Sequence, residues 1–262
     1  MGYVIITLDD SYLAHRTLAA PYARSKGITL GFAMIPGLHT GNIGRMNVQQ
    51  ARECQDVYGH ECYTHACTST DHDNTSLFTS ADSYVAAENS IIKAKQAMAA
   101  QGLCANNTHE VFVAPPASPV YGDSTIGAPS NSVMARHFIC RRTFQSNFPD
   151  TTTGGSETVP PMNLFHIRTA GWNGNTVANA RTLISRTREN PYAVAVLVFH
   201  DLVTSGAAGV FILQSDWQSV IDEVAFQRDN NYQSNLSSGT AAGKLRVATL
   251  SQLVRGQLTP TL

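Results

Sequence analysis

The chain has 262 residues, 14% of them charged, and a formal net charge of -1. Its pI is about 6.7, and it carries no Lys/Arg-rich run and no acidic tail, which argues against nucleic acid and against a membrane surface as partners. No apolar run approaches the ~20 residues of a membrane-spanning helix, and the length suits one domain over 1–262, in the range of barrels of roughly 200–250 residues.

Strand and helix patterns alternate along the chain. Residues 3–8 predict a buried strand that runs into Asp9 and Asp10. Residues 12–26 predict a helix closed by Gly27, and 28–35 a second strand stopped by Pro36-Gly37. Residues 47–58 read as a helix ending at Gly59, followed by a short strand near 60–64. His65 to Phe78 is polar and turn-like. Ser80 to Gln101 is the longest helical pattern, with Ser80 as its N-cap. Glu110 to Val113 is a strand broken by Pro115-Pro116, and 137–143 and 163–169 are further strand candidates. Asn175 to Arg188 is helical with Asn175 as cap, Tyr192 to Phe199 is a β-branched strand, and Ser215 to Asp229 is helical with Ser215 as cap. Leu245 to Leu250 is a last strand before a short helix. The segments 115–135 and 147–162 are long loops, a common place for function. The five cysteines are scattered, without a C-x-x-C pair, so neither a disulfide framework nor a cysteine zinc site is expected.

Near-continuous apolar strands alternating with helices predict a parallel sheet with helices outside, long enough to close a barrel. Active sites of such barrels lie at the C-terminal strand ends. Those ends carry Asp9 and Asp10; His65, then Asp71, His72 and Asp73; Ala114-Pro115-Pro116; and His200-Asp201. Carboxylate and imidazole groups at three strand ends suit Zn²⁺ or a similar divalent metal. The plainer reading of Asp9-Asp10 is a helix cap, but a cap employs one Asp, not two. His60, ahead of a strand, reads as structural. No signal-peptide pattern precedes the first strand, so the chain is expected to be a cytosolic enzyme or a domain cut from a longer phage or extracellular protein.

These residues resemble the polysaccharide deacetylases, the NodB-homology domain or carbohydrate esterase family 4, as a divergent member. The family's T-F-D-D motif is matched by Thr7-Leu8-Asp9-Asp10. Its G-H-E-x-x-x-H-[ST]-x-x-H motif is matched in part by Gly59-His60-Glu61-Cys62-Tyr63-Thr64-His65, and its Leu-x-His strand end by Leu197-Val198-Phe199-His200. Val113-Ala114-Pro115-Pro116 stands where the family has R-x-P-[YF], and Val247 to Leu253 resembles the closing strand and helix. The resemblance implies an α/β fold, a distorted (β/α) barrel of about seven parallel strands with outer helices. It implies a metal-dependent hydrolase that removes N- or O-acetyl groups from a carbohydrate, with zinc, or alternatively cobalt or nickel, as cofactor. Asp9 would be the general base, His200 the general acid, and Asp10 and His65 metal ligands.

The sequence departs from the family in three places. Ser69 stands where the second metal histidine is due, and His72 is taken as the ligand, with Asp71 and Asp73 as rivals. Ala114 replaces the arginine beside the base, leaving Arg141, Arg142 or Arg168 to reach the site. The family's Asp-Trp motif is missing, and His166, Arg168 and Trp172 occupy its region. Pro115, Pro116, Tyr121, Trp172 and Arg142 are expected to bind the carbohydrate, although Trp172 and Tyr121 serve packing equally well. Two other activities fit the altered motifs: hydrolysis of other non-peptide C–N amides, and a non-catalytic carbohydrate-binding or structural role in a phage or surface assembly.

Overall fold

The computed structural model describes residues 2–73, 81–115, 129–143, 156–172, 174–207, 209–230 and 244–258. The strands are β1 (Tyr3–Leu8), β2 (Gly31–Met34), β3 (Glu61–Thr64), β4 (Val111–Val113), β5 (Cys140–Arg142), β6 (Glu157–Thr158), β7 (Ala170–Gly171), β8 (Ala193–Phe199), β9 (Leu202–Val203), β10 (Ile212–Leu213) and β11 (Arg246–Val247). The helices are α1 (Ala20–Ser25), α2 (Val48–Asp56), α3 (Ser69–Asp73), α4 (Ala81–Ala100), α5 (Pro129–His137), α6 (Val177–Glu189), α7 (Gln214–Asp229) and α8 (Leu250–Val254). A π-helix, His15–Ala19, runs directly into α1. Among the described residues no helix is long and apolar enough to cross a membrane.

The main sheet runs β5-β4-β3-β2-β1-β8 with all neighbours parallel. Its two ends are joined by one segment: Ile167 bridges Arg142, and β7 pairs with Leu197–Val198 of β8. The sheet therefore curls into the distorted (β/α) barrel expected. Two additions were not expected. The short β6 pairs antiparallel with the start of β8, and β9 and β10 form a separate parallel pair. Of the strand anticipated over 163–169, only Ile167 bridges. His166 closes a turn onto Asn163, and the Arg168 N–H turns to Glu157 Oε2 at 3.1 Å, so polar partners take the backbone that a strand would use.

Side chains alternate along a strand, and the core divides accordingly. Tyr3 and Ile5, Ala33, Tyr63, Val111 and Val113, Cys140, and Val194 and Val196 point into the barrel, where Leu250 and Leu253 of α8 close the lower end. Val4, Ile6 and Leu8, Phe32 and Met34, Cys62, and Ala195, Leu197 and Phe199 face the outer layer formed by α1, α2, α6 and α7. Phe112 and Ala114 meet α4 and α5. Close approach sets one residue: a Cβ on Gly31 would lie 2.1 Å from the Tyr63 ring, so only glycine admits the ring there.

Helix starts follow local chemistry. Asn47 and Gln50 form a reciprocal capping box on α2, and Thr249 and Gln252 do so on α8. Two expected caps are corrected. Thr176, not Asn175, caps α6 by accepting from Asn179 N, because the Asn175 amide reaches back to Gly171 O. Ser215 lies inside α7, whose cap position is Leu213; the extended backbone of β10 passes straight into the helix. Ser80, the expected cap of α4, lies outside the described residues. All five cysteines are free.

Candidate active site

The inward parity of each strand continues past its C-terminal end. It points Asp9 (after Ile5 and Thr7), His65 (after Tyr63), Arg142 (after Cys140) and His200 (after Val196 and Val198) toward one mouth of the barrel. All four are buried. Asp10 would point away were the strand to continue. Instead Asp10 and Ser11 both adopt left-handed backbone, with φ of 77° and 57°, at a cost of roughly 1–2 kcal/mol each for non-glycine residues. That turn swings the Asp10 carboxylate to the same mouth.

There Asp10 Oδ1 lies 3.2 Å from His65 Nε2 and 3.2 Å from His72 Nε2. The three ligand atoms lie within 4.8 Å of one another. His65 Nδ1 is 2.6 Å from Val113 O and His72 Nδ1 is 2.7 Å from Asp73 Oδ1. A carbonyl or carboxylate oxygen only accepts, so each Nδ1 carries the hydrogen, and in its neutral form each ring turns an Nε2 lone pair toward Asp10. Asp10 Oδ1 and both Nε2 atoms are buried without a hydrogen-bond partner. Three converging lone pairs repel unless a positive charge sits among them, and two imidazoles with a carboxylate are the donor set of a divalent cation such as zinc. The residues present fit such an ion. Nδ1 bonded to an oxygen is also how metal-binding histidines are oriented.

Charge balance follows the same pattern. Burial is the largest influence on Asp10 and raises its pKa, but the close approach of the His65 and His72 rings, with the more distant His200, brings it well below the usual carboxylate value. Burial lowers His72, and the Asp10 and Asp73 carboxylates more than reverse this, so its pKa is raised. Burial lowers His200, opposed by Asp9 and Asp10.

The rivals for the cluster are otherwise engaged. Asp71 pairs with Thr68 Oγ1, and Asp73 supports His72. Ser69 begins α3. This short helix lies inside the stretch anticipated as turn-like, and it delivers His72. Its sequence signal was present, since Thr68-x-x-Asp71 is the capping pattern of a helix start, with Asp71 N donating to Thr68 Oγ1 at 3.1 Å.

Arg142 reaches both oxygens of Asp9 through Nη2, each at 2.5 Å, and both side chains are fully buried. It was expected both among the arginines that could stand beside the base and among the carbohydrate contacts; its strand turns it inward onto the carboxylate. Arg141, one residue out of phase, donates to Phe165 O, and Arg168 pairs with Glu157. Trp172 was likewise expected against a sugar. It belongs to the outer core, 5% exposed and packed on Phe199 at 5.7 Å between ring centres, because the parity of the segment after β7 turns it under the helices. Pro115 is buried at the end of β4, and Pro116 and Tyr121 lie outside the described residues. Several residues around the mouth carried no motif. His15 Nε2 bonds to His200 O at 3.0 Å while stacking on Phe32, and burial lowers its pKa to about 4. Arg45 donates to Asp10 O and lies 3.7 Å over the Tyr12 ring.

No protein-family model and no curated protein sequence matches the chain. Solved structures do. A family 4 carbohydrate esterase from Streptomyces lividans, in complex with acetate, covers 86% of this chain and 88% of its own at 15% identity, with a TM-score of 0.52. A peptidoglycan N-acetylglucosamine deacetylase covers 99% and 90% at 12% identity, with a TM-score of 0.53. A mutant of a family 4 pseudoenzyme with restored enzymatic activity covers 97% and 68% at 11% identity, with a TM-score of 0.56. The chain has the polysaccharide-deacetylase fold. Within that fold, Asp9, Asp10, His65, His72, Arg142 and His200 gather at the C-terminal ends of the strands, where α/β barrels carry their chemistry.

Proposed function

We propose that the protein is a metal-dependent hydrolase that removes acetyl groups from a carbohydrate. The observation that carries this is the convergence of Asp10 Oδ1, His65 Nε2 and His72 Nε2, three partnerless lone-pair atoms, beside the Asp9–Arg142 pair. These three residues would hold the ion, with zinc first choice for two nitrogens and one oxygen, and cobalt or nickel as alternatives. When bound, the ion supplies Lewis acidity and an acidified water. Asp9 takes the proton of the attacking water, and Arg142 fixes the carboxylate's position and offsets its charge. His200 protonates the departing nitrogen or oxygen; burial lowers its pKa despite the opposing Asp9 and Asp10 carboxylates, which makes the protonated ring a readier donor. Val113 and Asp73 orient the two histidines. The carbohydrate class follows from the fold relatives, whose described activities include peptidoglycan N-acetylglucosamine deacetylation.

The test is acetate release from acetylated sugars, including N-acetylglucosamine oligomers and acetylated xylan. Zinc-loaded protein is expected to release acetate, chelation to abolish release and added zinc to restore it, and Asp9→Asn to be inactive with zinc bound. No release across the panel by metal-loaded protein sinks the proposal.

A further inference from the structure

Asp10 reaches the histidines only because two consecutive non-glycine residues hold left-handed backbone, with φ of 77° at Asp10 and 57° at Ser11. Such a conformation persists where its surroundings over-determine it. Glycine would adopt it freely, so a serine here calls for a reason, and its hydroxyl supplies one. Ser11 Oγ accepts from Ile35 N at 2.8 Å and lies 3.1 Å from His39 Nε2. His39 Nδ1 in turn lies 2.7 Å from Gln101 Oε1, and Gln101 Nε2 donates to Pro36 O at 3.0 Å.

The donor directions along this chain are fixed from its far end. Pro36 O accepts, so the Gln101 amide presents its oxygen to His39, whose Nδ1 must carry the hydrogen. In the neutral ring Nε2 is then an acceptor 3.1 Å from Ser11 Oγ, a stronger acceptor for the O–H than Met34 Sδ, which lies 3.6 Å from the same oxygen. His39 is 3% exposed, and burial lowers its pKa, in keeping with a neutral ring. The chain therefore runs from the end of α4 through the turn after β2 to the residue next to Asp10, and each polar group in it is used. None of these residues meets the proposed ion.

Resting on the metal-site reading above, we infer that Ser11 and His39 are positioning residues, a buried relay that locks the left-handed turn and thereby aims the Asp10 carboxylate at the ion held by His65 and His72.

The experiment is a zinc titration by calorimetry on the full chain, with thermal melting alongside. Ser11→Gly keeps the backbone conformation available and removes the hydroxymethyl side chain with its hydrogen bonds. It is expected to melt close to the wild type, since relief at a left-handed position offsets lost bonds, yet to bind zinc about 10-fold more weakly or worse, the usual scale for groups supporting metal ligands. His39→Leu, which leaves Ser11 and all three ligands in place, is expected to shift affinity the same way. Asp10→Asn serves as the reference that abolishes the site. If Asp10→Asn loses zinc while both other variants stay within about two-fold of wild type, the inference is overturned and the site reading stands. If Asp10→Asn binds zinc as the wild type does, the site reading fails and the relay with it.

Discussion

Arg142 and Asp9 are an ion pair with no exposure on either side chain. Removing one partner of such a pair strands a buried charge, at about 3–5 kcal/mol. Arg142→Leu is expected to lose that much in urea denaturation, and combining it with Asp9→Asn to recover a large part, because no carboxylate is then left without a counter-charge. His60 illustrates a different kind of buried histidine, one that the sequence already marked as structural. Its Nδ1 accepts from Leu30 N and its Nε2 donates to Ala20 O, tying β2 and β3 to the start of α1. Burial lowers its pKa from 6.5 to about 4. Between those values the unfolded chain holds a proton that the folded ring refuses, so its contribution is complete above pH 6.5 and declines as pH falls toward 4. By pH 5 the loss is about 2 kcal/mol. His60→Gln abolishes this titration, so the stability gap between wild type and variant should shrink by that amount between pH 7.5 and pH 5.

At the scale of elements, the lower end of the barrel depends on one polar cluster. Glu61 at the start of β3 accepts from Tyr63 Oη at 2.6 Å, Thr249 Oγ1 at 2.8 Å and Ser251 Oγ at 2.5 Å, and Tyr63 Oη also accepts from Leu250 N at 3.1 Å. The cluster fastens α8 across the barrel floor while its Leu250 and Leu253 fill the interior. Tyr63→Phe deletes one hydroxyl and leaves the Leu250 N–H without its acceptor. The expected loss is about 1–3 kcal/mol, measured by denaturation, with zinc affinity unchanged because the cluster lies at the opposite end from His65. Strands with apolar runs, such as β1 and β8, were legible because burial on both faces demands it. The short α3 is not legible from hydrophobic pattern because its residues carry no apolar period; its Thr68-x-x-Asp71 start is the available signal.

For the whole molecule, the site joins chain segments far apart in sequence: the turn after β1 supplies Asp9 and Asp10, the region after β3 supplies His65 and His72, β5 supplies Arg142, and β8 is followed by His200. Under the proposed function, an ion held by Asp10 and the two histidines would tie the first of these segments to the second. Binding to the folded state alone adds stability by mass action, about 2.7 kcal/mol at a concentration 100 times Kd. Zinc is therefore expected to raise Tm by roughly 5–10 °C in a thermal melt, and Asp10→Asn to abolish the rise.

The sequence by itself determined the alternation of strands and helices, the parallel barrel, and the strand ends on which Asp9, Asp10, His65 and His200 stand. The signals for these are local, since hydrophobic period, turn residues and side-chain parity are properties of a few consecutive residues; closure of the barrel through Ile167 and β7 is not. Tertiary structure alone decided that Arg142 rather than Arg141 or Arg168 faces Asp9, that Trp172 packs under the helices, that His72 meets Asp10, and that Ser11 and His39 stand behind it. Those pairings depend on which strands neighbour one another and on a left-handed turn at non-glycine residues. Both are products of long-range packing, which can hold a conformation that local preference disfavours.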